Sequence, residues 1–97
     1  MSSEEVRKNR SAIVLIQKIL EKVIQAGEEG IVKSQIYSDL KLKSTVGEKY
    51  LDQMSQAEYI KIIEEDWGER VRNKVYVTEK GRKRFEWFLT LSKELDL

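Results

Sequence analysis

Between residues 34 and 84 the hydrophobic period changes from helical to alternating and back, and few folds accommodate that order. Ser34 is a good N-cap for a helix carrying Ile36, Tyr37 and Leu40. Leu40-Lys41-Leu42-Lys43 makes a short connection. Ser44 or Thr45 then caps another helix, with Val46, Tyr50, Leu51 and Met54 on its inner face and Glu48 placed as the capping-box partner of Thr45. Ile60, Ile62 and Ile63 form a β-rich run. Val71, Val75 and Val77 form a second, alternating with Arg70, Arg72, Lys74 and Tyr76. Residues 64–69 lie between the runs and contain Trp67-Gly68, with Gly68 as the turn residue. Thr78 caps a last helix over 78–97, with Phe85, Phe88, Leu89, Ser92 and Leu95 at three- and four-residue spacing. Such a chain builds one small core and one projecting β arm.

A long amphipathic helix precedes this block. Ile13, Ile16, Leu20, Val23 and Ile24 recur at helical spacing, Leu15 and Ile19 widen the stripe, and Lys18, Glu21 and Lys22 face outward. Ser3 followed by Glu4 and Glu5 allows an earlier start, because acids favour the positive end of a helix. Gly27 is a natural stop. Glu28-Glu29-Gly30 is a turn, and Ile31-Val32 is a short apolar bridge to the later hairpin.

With 97 residues the chain is expected to form a single domain over 1–97. It has no cysteine and no histidine, which removes disulfides, thiolate metal sites and the usual general base. No run approaches a membrane span, and the N-terminus lacks the apolar core of a signal peptide. A cytoplasmic location follows as the expectation. No phosphate-binding glycine loop, nucleophile elbow or metal-ligand spacing is present, so an enzyme is not expected, nor a cofactor, a metal or a small-molecule ligand. The net charge is only +1, but cations cluster at Arg7, Lys8 and Arg10, along Arg70, Arg72 and Lys74, and over Lys80, Arg82, Lys83 and Arg84.

The segment order is that of a winged helix-turn-helix: α+β, mainly α, with three helices, a β-hairpin wing and a C-terminal helix of the dimerisation type. Four pieces carry a closer resemblance. They are Arg7-Lys8-Asn9-Arg10, Lys49-Tyr50-Leu51-Asp52, Tyr59-Ile60 and Tyr76-Val77-Thr78-Glu79-Lys80-Gly81. Over roughly residues 7 to 92 the chain resembles the small archaeal winged-helix DNA-binding proteins. These include the ten-kilodalton chromosomal proteins of Sulfolobus-type archaea and related viral and plasmid regulators. The resemblance implies duplex DNA as partner and a C-terminal helix that pairs two copies. The last helix here, from Thr78 to about Leu95, lacks the long coiled-coil extension of the chromosomal members.

Duplex DNA admits one α-helix into its major groove, and the first residues of that helix reach the base edges. On the helix at 44–56 these are Lys43, Ser44, Thr45, Gly47, Glu48 and Lys49. The hydroxyls and lysines suit phosphate or base contact, and Gly47 permits close backbone approach. Glu48 either accepts from cytosine or only completes the capping box. On a wing at 64–74, Arg70, Arg72 and Lys74 point to one face and suit phosphates or a narrow minor groove, although charge on an edge strand also blocks aggregation. Trp67 either packs under the wing or meets a partner. Arg7, Lys8 and Arg10 form a basic arm, or helix start, beside the backbone of the DNA, or a solvated terminus. Phe85, Trp87, Phe88, Leu91 and Leu95 are the expected dimer interface.

The leading expectation is a dimeric, sequence-specific regulator that binds double-stranded DNA. A winged-helix protein-interaction module is the alternative, favoured by the near-neutral charge and by Glu64, Glu65 and Asp66. A non-specific chromosomal DNA-binding protein is a third reading.

Overall fold

A computed structural model describes the backbone of residues 3–95 and the side chains of residues 12–95. Four helices and one three-stranded antiparallel sheet make up the fold. They are α1 (Ser3–Ala26), β1 (Ile31–Val32), α2 (Lys33–Leu40), α3 (Ser44–Gln56), β2 (Ile60–Trp67), β3 (Arg70–Val77) and α4 (Glu79–Leu95), with a single 3-10 turn at Gly27–Glu29 after α1. The strand order is β1-β3-β2.

The expected apolar stripe of α1 holds at its centre. Ile19, Leu20 and Val23 are fully buried and meet Ile36 from α2, Leu51 and Met54 from α3, Ile60 from β2 and Val75 from β3. Each helix and each long strand before α4 thus places one residue or more in a single cluster, and Ile31 of β1 packs on its margin. Phe85 and Phe88 of α4 close it from outside, half-buried. A buried leucine such as Leu51 contributes about 2–5 kcal/mol relative to alanine in such a setting.

Several helix ends differ from the sequence expectation. Ser34 does not cap α2. The helix starts at Lys33 straight after β1, with Val32 extended at the N-cap and no side-chain cap. Neither Ser44 nor Thr45 caps α3, whose N-cap is Lys43, also without a side-chain bond. The inward stripe of α3 is Gly47, Leu51 and Met54, and Val46 lies off it at 38% exposure. Both helices end in the same hydrogen-bond pattern. Leu42 N–H donates to Tyr37 O and Lys41 N–H to Ser38 O, while Tyr59 N–H donates to Met54 O and Glu58 N–H to Ser55 O. This is the Schellman motif, with Lys41 (φ 55) and Glu58 (φ 65) in the left-handed position that usually carries glycine. Thr78 does cap α4, as the sequence predicts. Its hydroxyl accepts from Gly81 N–H at 2.9 Å.

The hairpin is longer than 64–69 suggested as a turn. Pairing runs from Ile60↔Val77 out to Trp67↔Arg70, which leaves Gly68 and Glu69 as a two-residue turn. Gly68 has φ 74 and Glu69 does not share that sign, the signature of a type II′ turn. Opposite charges face each other at Glu65↔Arg72, and an aromatic ring faces a cation at Trp67↔Arg70. Such cross-strand pairs stabilise the ladder past the core, each by about 0.2–1 kcal/mol.

Candidate nucleic-acid interface

β1 is only two residues long and pairs only with Val75 and Lys74 of β3. The edge of β3 from Arg70 to Asn73 therefore has no strand on that side. A cleft of about 830 Å³ opens there. Its walls are the β1 segment, the start of α2 (Lys33, Ser34, Gln35), Ser44 and Glu48 of α3, and Arg70, Val71, Arg72 and Asn73 of the hairpin. The first turns of α3 and the cationic strand thus share one concave surface.

Two carboxylates organise the side chains here, Glu48 in the cleft and Glu65 on β2 beyond it. Lys33 Nζ donates to both carboxylate oxygens of Glu48 at 3.1 Å, and the Tyr37 hydroxyl donates to Glu48 Oε1 at 2.7 Å. These bonds, that from Tyr37 foremost, hold the Glu48 carboxyl below its ordinary range. Burial, reinforced by that carboxylate, pushes the Tyr37 phenol well above its own. The triad ties the start of α2 to the first turn of α3. Glu48 is therefore not the partner of Thr45, and its carboxylate already accepts three hydrogen bonds.

On the hairpin, Glu65 accepts from Trp67 Nε1–H at 3.1 Å and from the Tyr76 hydroxyl at 3.0 Å. These bonds, with Lys74 and Arg72 nearby, lower its pKa. Lys74 Nζ lies 3.9 Å from Glu65 and donates to the Glu29 carbonyl at 3.1 Å. Lys74 is thus engaged as a tie between the hairpin and the turn after α1. Arg72 stacks over the Trp67 ring, 5.0 Å from its centroid.

Comparison with known proteins matches residues 9–95 to the family described as winged helix-turn-helix. The chain belongs to this family. Its hairpin is the wing, and α2 and α3 are the helix-turn-helix. The fold is similar to that of a PadR-like transcription factor from Bacteroides fragilis, with a TM-score of 0.79 at 15% identity, covering 95% of this chain and 92% of that one. It is also similar to S. aureus MepR in a complex with DNA, with a TM-score of 0.72 at 16% identity over 96% of this chain and 79% of that one. A point mutant of S. aureus MepR bound to an oligodeoxyribonucleotide gives 0.72 at 17% identity. That match covers 84% of this chain, which spans 59% of the length of that one. No curated protein matches the chain.

Most of the predicted site residues stand at the surface. Lys43, Ser44, Thr45, Glu48 and Lys49 are exposed at the start of α3, and Arg70 and Arg72 are exposed on the wing. Among the described residues Lys43, Lys49, Arg70 and Arg72 make no ion pair within 4.0 Å. Gly47 is a correction. It is buried, and a Cβ there would overlap the Tyr37 ring, so the glycine serves close packing of α2 on α3 and not approach of DNA. Arg7, Lys8 and Arg10 fall within the backbone of α1, but their side chains lie outside the described residues. Phe85 and Phe88, assigned to a dimer interface, lie half-buried against the core, whereas Trp87, Leu89 and Leu95 are exposed. Sequence reasoning missed Lys33, Gln35 and Asn73 as cleft residues and read Ser34 only as a cap. The signal for Lys33 was its charge directly after an apolar bridge. Nothing local marked Asn73.

Proposed function

We propose that the protein is a double-stranded DNA-binding transcriptional regulator that acts as a homodimer and reads sequence with α3. One observation carries the reading: Ser44 and Glu48 of α3 line the same cleft as Arg70 and Arg72 of the wing. A groove-sized helix beside a cationic arm suits the major groove and the adjoining backbone of one duplex. Lys43, Ser44, Thr45 and Lys49 supply contacts from α3, Arg70 and Arg72 supply them from the wing, and Lys33, Glu48 and Tyr37 hold the two helices in register. Lys74 braces the wing. Arg7, Lys8 and Arg10 remain candidates for the DNA backbone. A cytoplasmic location and a binding role without catalysis go with this reading. The MepR complexes with DNA support it by analogy of fold.

Dimerisation is supported by apolar side chains that the described part of the chain leaves partly or largely exposed. Trp87, Leu91 and Leu95 repeat every four residues along α4, with Trp87 50% and Leu95 59% exposed and Leu91 half-buried. Leu89 on α4 and Ile13 and Val14 on α1 are exposed as well.

The test is titration of duplex DNA at several salt concentrations. Each neutralised phosphate contributes a slope of about −0.9 to log K against log salt, so four unpaired cations give roughly −3.6 per protomer. R70A/R72A lowers affinity and reduces that slope by about two units. Absence of binding at low salt removes the reading. Selection from a random DNA pool then separates its finer parts. A palindromic motif supports sequence readout by a dimer, and sequence-blind recovery supports the chromosomal role implied by the resemblance to the archaeal proteins. The protein-interaction alternative draws on Glu48 and Glu65, which occupy Lys33 and Lys74. Under it, R70A/R72A leaves function untouched.

A further inference from the structure

Trp67 is the side chain that the preceding reading does not use. It ends β2, on the far side of β3 from the cleft, because β3 lies between β1 and β2. It projects from the same face of the ribbon as Arg70, its direct cross-strand partner, and Arg72. The ring is 56% exposed, near the end of a hairpin whose flanking residues Asp66, Gly68 and Glu69 are all exposed. A tryptophan so placed buries little apolar area for the fold. It is nonetheless fixed: its Nε1–H donates to Glu65, and the Arg72 guanidinium lies over the ring. Glu65 is itself held by Tyr76 and neighboured by Lys74, so the indole rests on a hydrogen-bonded base within the wing.

We propose that this outer wing face is a stacking site for an unpaired nucleobase of bound DNA, with Trp67 as the platform and Arg70 and Arg72 meeting the phosphates on either side. The inference rests on the DNA-binding reading and extends it to a second subsite. A matched duplex offers few exposed base faces, since its bases are stacked on one another. A strand that leaves the cleft at a bulge, a junction or a frayed end crosses Arg72 and Arg70 first, and its first free base reaches the indole. Stacking on an aromatic side chain tolerates any base, because every base has a π face. The side chain is held in place beforehand by Glu65 and Arg72, so little rotamer freedom is lost on contact. The charge pattern favours a nucleotide as occupant. Arg70 and Arg72 share the face of Trp67, whereas Glu64 and Asp66 alternate to the opposite face, so a nucleotide brings its single charge to the two arginines and its neutral ring to the tryptophan.

The test compares a short mixed-sequence duplex with the same duplex carrying one bulged 2-aminopurine, at low salt and with the full chain. The bulged duplex is expected to bind about five- to tenfold tighter, and the 2-aminopurine emission to be quenched on binding. W67L is expected to bring the ratio of affinities to about one and abolish the quenching, while W67F, which keeps a stacking face, retains most of both. A ratio near one in the unaltered protein overturns the proposal, as does a preference that survives W67L. Loss of the preference in W67F as well as W67L also counts against stacking, and thermal unfolding of each variant shows whether the wing is intact. Binding of the matched duplex alone sinks this inference and leaves the DNA-binding reading standing. If neither duplex binds, both fall.

Discussion

Gly47 shows how one residue can be placed correctly and explained wrongly by its sequence context. A glycine in the first turns of a groove-facing helix invites the reading that it lets backbone approach DNA. In the fold the missing Cβ is space for the Tyr37 ring. Gly47→Ala gains about 1 kcal/mol of helix propensity but must displace a packed aromatic, at a cost of about 1–3 kcal/mol. The expected outcome is net destabilisation, read as a lower midpoint of denaturant unfolding. Tyr37 cannot retreat freely, because its hydroxyl is bonded to Glu48. Glu48 also sets a pH dependence. Its carboxyl is lowered from an ordinary value near 4.5 in the folded protein. A depressed carboxylate contributes stability above its unfolded pKa, and that contribution is lost as pH falls through the folded value. The protein is therefore expected to lose stability as it is acidified below about pH 4.5, and Glu48→Gln to flatten part of that loss in thermal unfolding scans. Glu65, lowered in the same direction, adds to the same window.

At the scale of elements, the ends of helices α2 and α3 carry the clearest untapped stability. Each closes with a non-glycine residue at positive φ, Lys41 and Glu58. An L side chain in that region costs about 1–2 kcal/mol relative to the right-handed one, and glycine avoids this while adding freedom to the unfolded chain. Glu58→Gly is expected to stabilise the protein by about 0.5–1 kcal/mol, measured by chemical denaturation. The wing is the opposite case. Its outer half extends beyond the core, so its strands rest on cross-strand pairs and on the tie from Lys74 to the Glu29 carbonyl. Lys74→Met keeps the aliphatic stem and removes that tie. Faster hydrogen exchange of the wing amides, with the core amides unchanged, is the expected result.

At the scale of the whole molecule, the outer face of α4 leaves large apolar side chains of the helix exposed. The edge-on contact of Trp87 with Phe88 and the stacking of Arg84 on Trp87 shield part of the indole. Leu95 and Leu89 have no such cover at 59% and 46% exposure. If two copies meet here, each leucine buried contributes about 1.5–3 kcal/mol, and Leu91→Glu raises the dimer dissociation constant about tenfold or more. Sedimentation of the variant across a concentration series checks this. An unaltered chain that is monomeric at every concentration contradicts the dimer.

Hydrophobic period alone was sufficient for the order of elements, the centre of the α1 stripe and the place of the last helix, because burial of a helix or strand face repeats at 3.6 or two residues whatever lies opposite; Ile13, at the start of that stripe, is exposed. The Ile31-Val32 bridge was legible for the same reason, and Thr78 because a capping hydroxyl acts within one turn. Period says nothing about which polar groups meet across elements. Lys33 and Glu48 are fifteen residues apart in the chain and 3.1 Å apart in space, so Glu48 was read against its near neighbour Thr45. The Schellman ends were hidden because lysine and glutamate there give no local sign of positive φ. The length of the wing was hidden because its outer pairs are charged and mimic a polar loop. Sequence determined what each segment is, through forces that act within a few residues. Tertiary structure decided which cations are spent on Glu48 and Glu65 and which remain free beside α3, because ion pairs and close packing are settled only when distant segments share one surface.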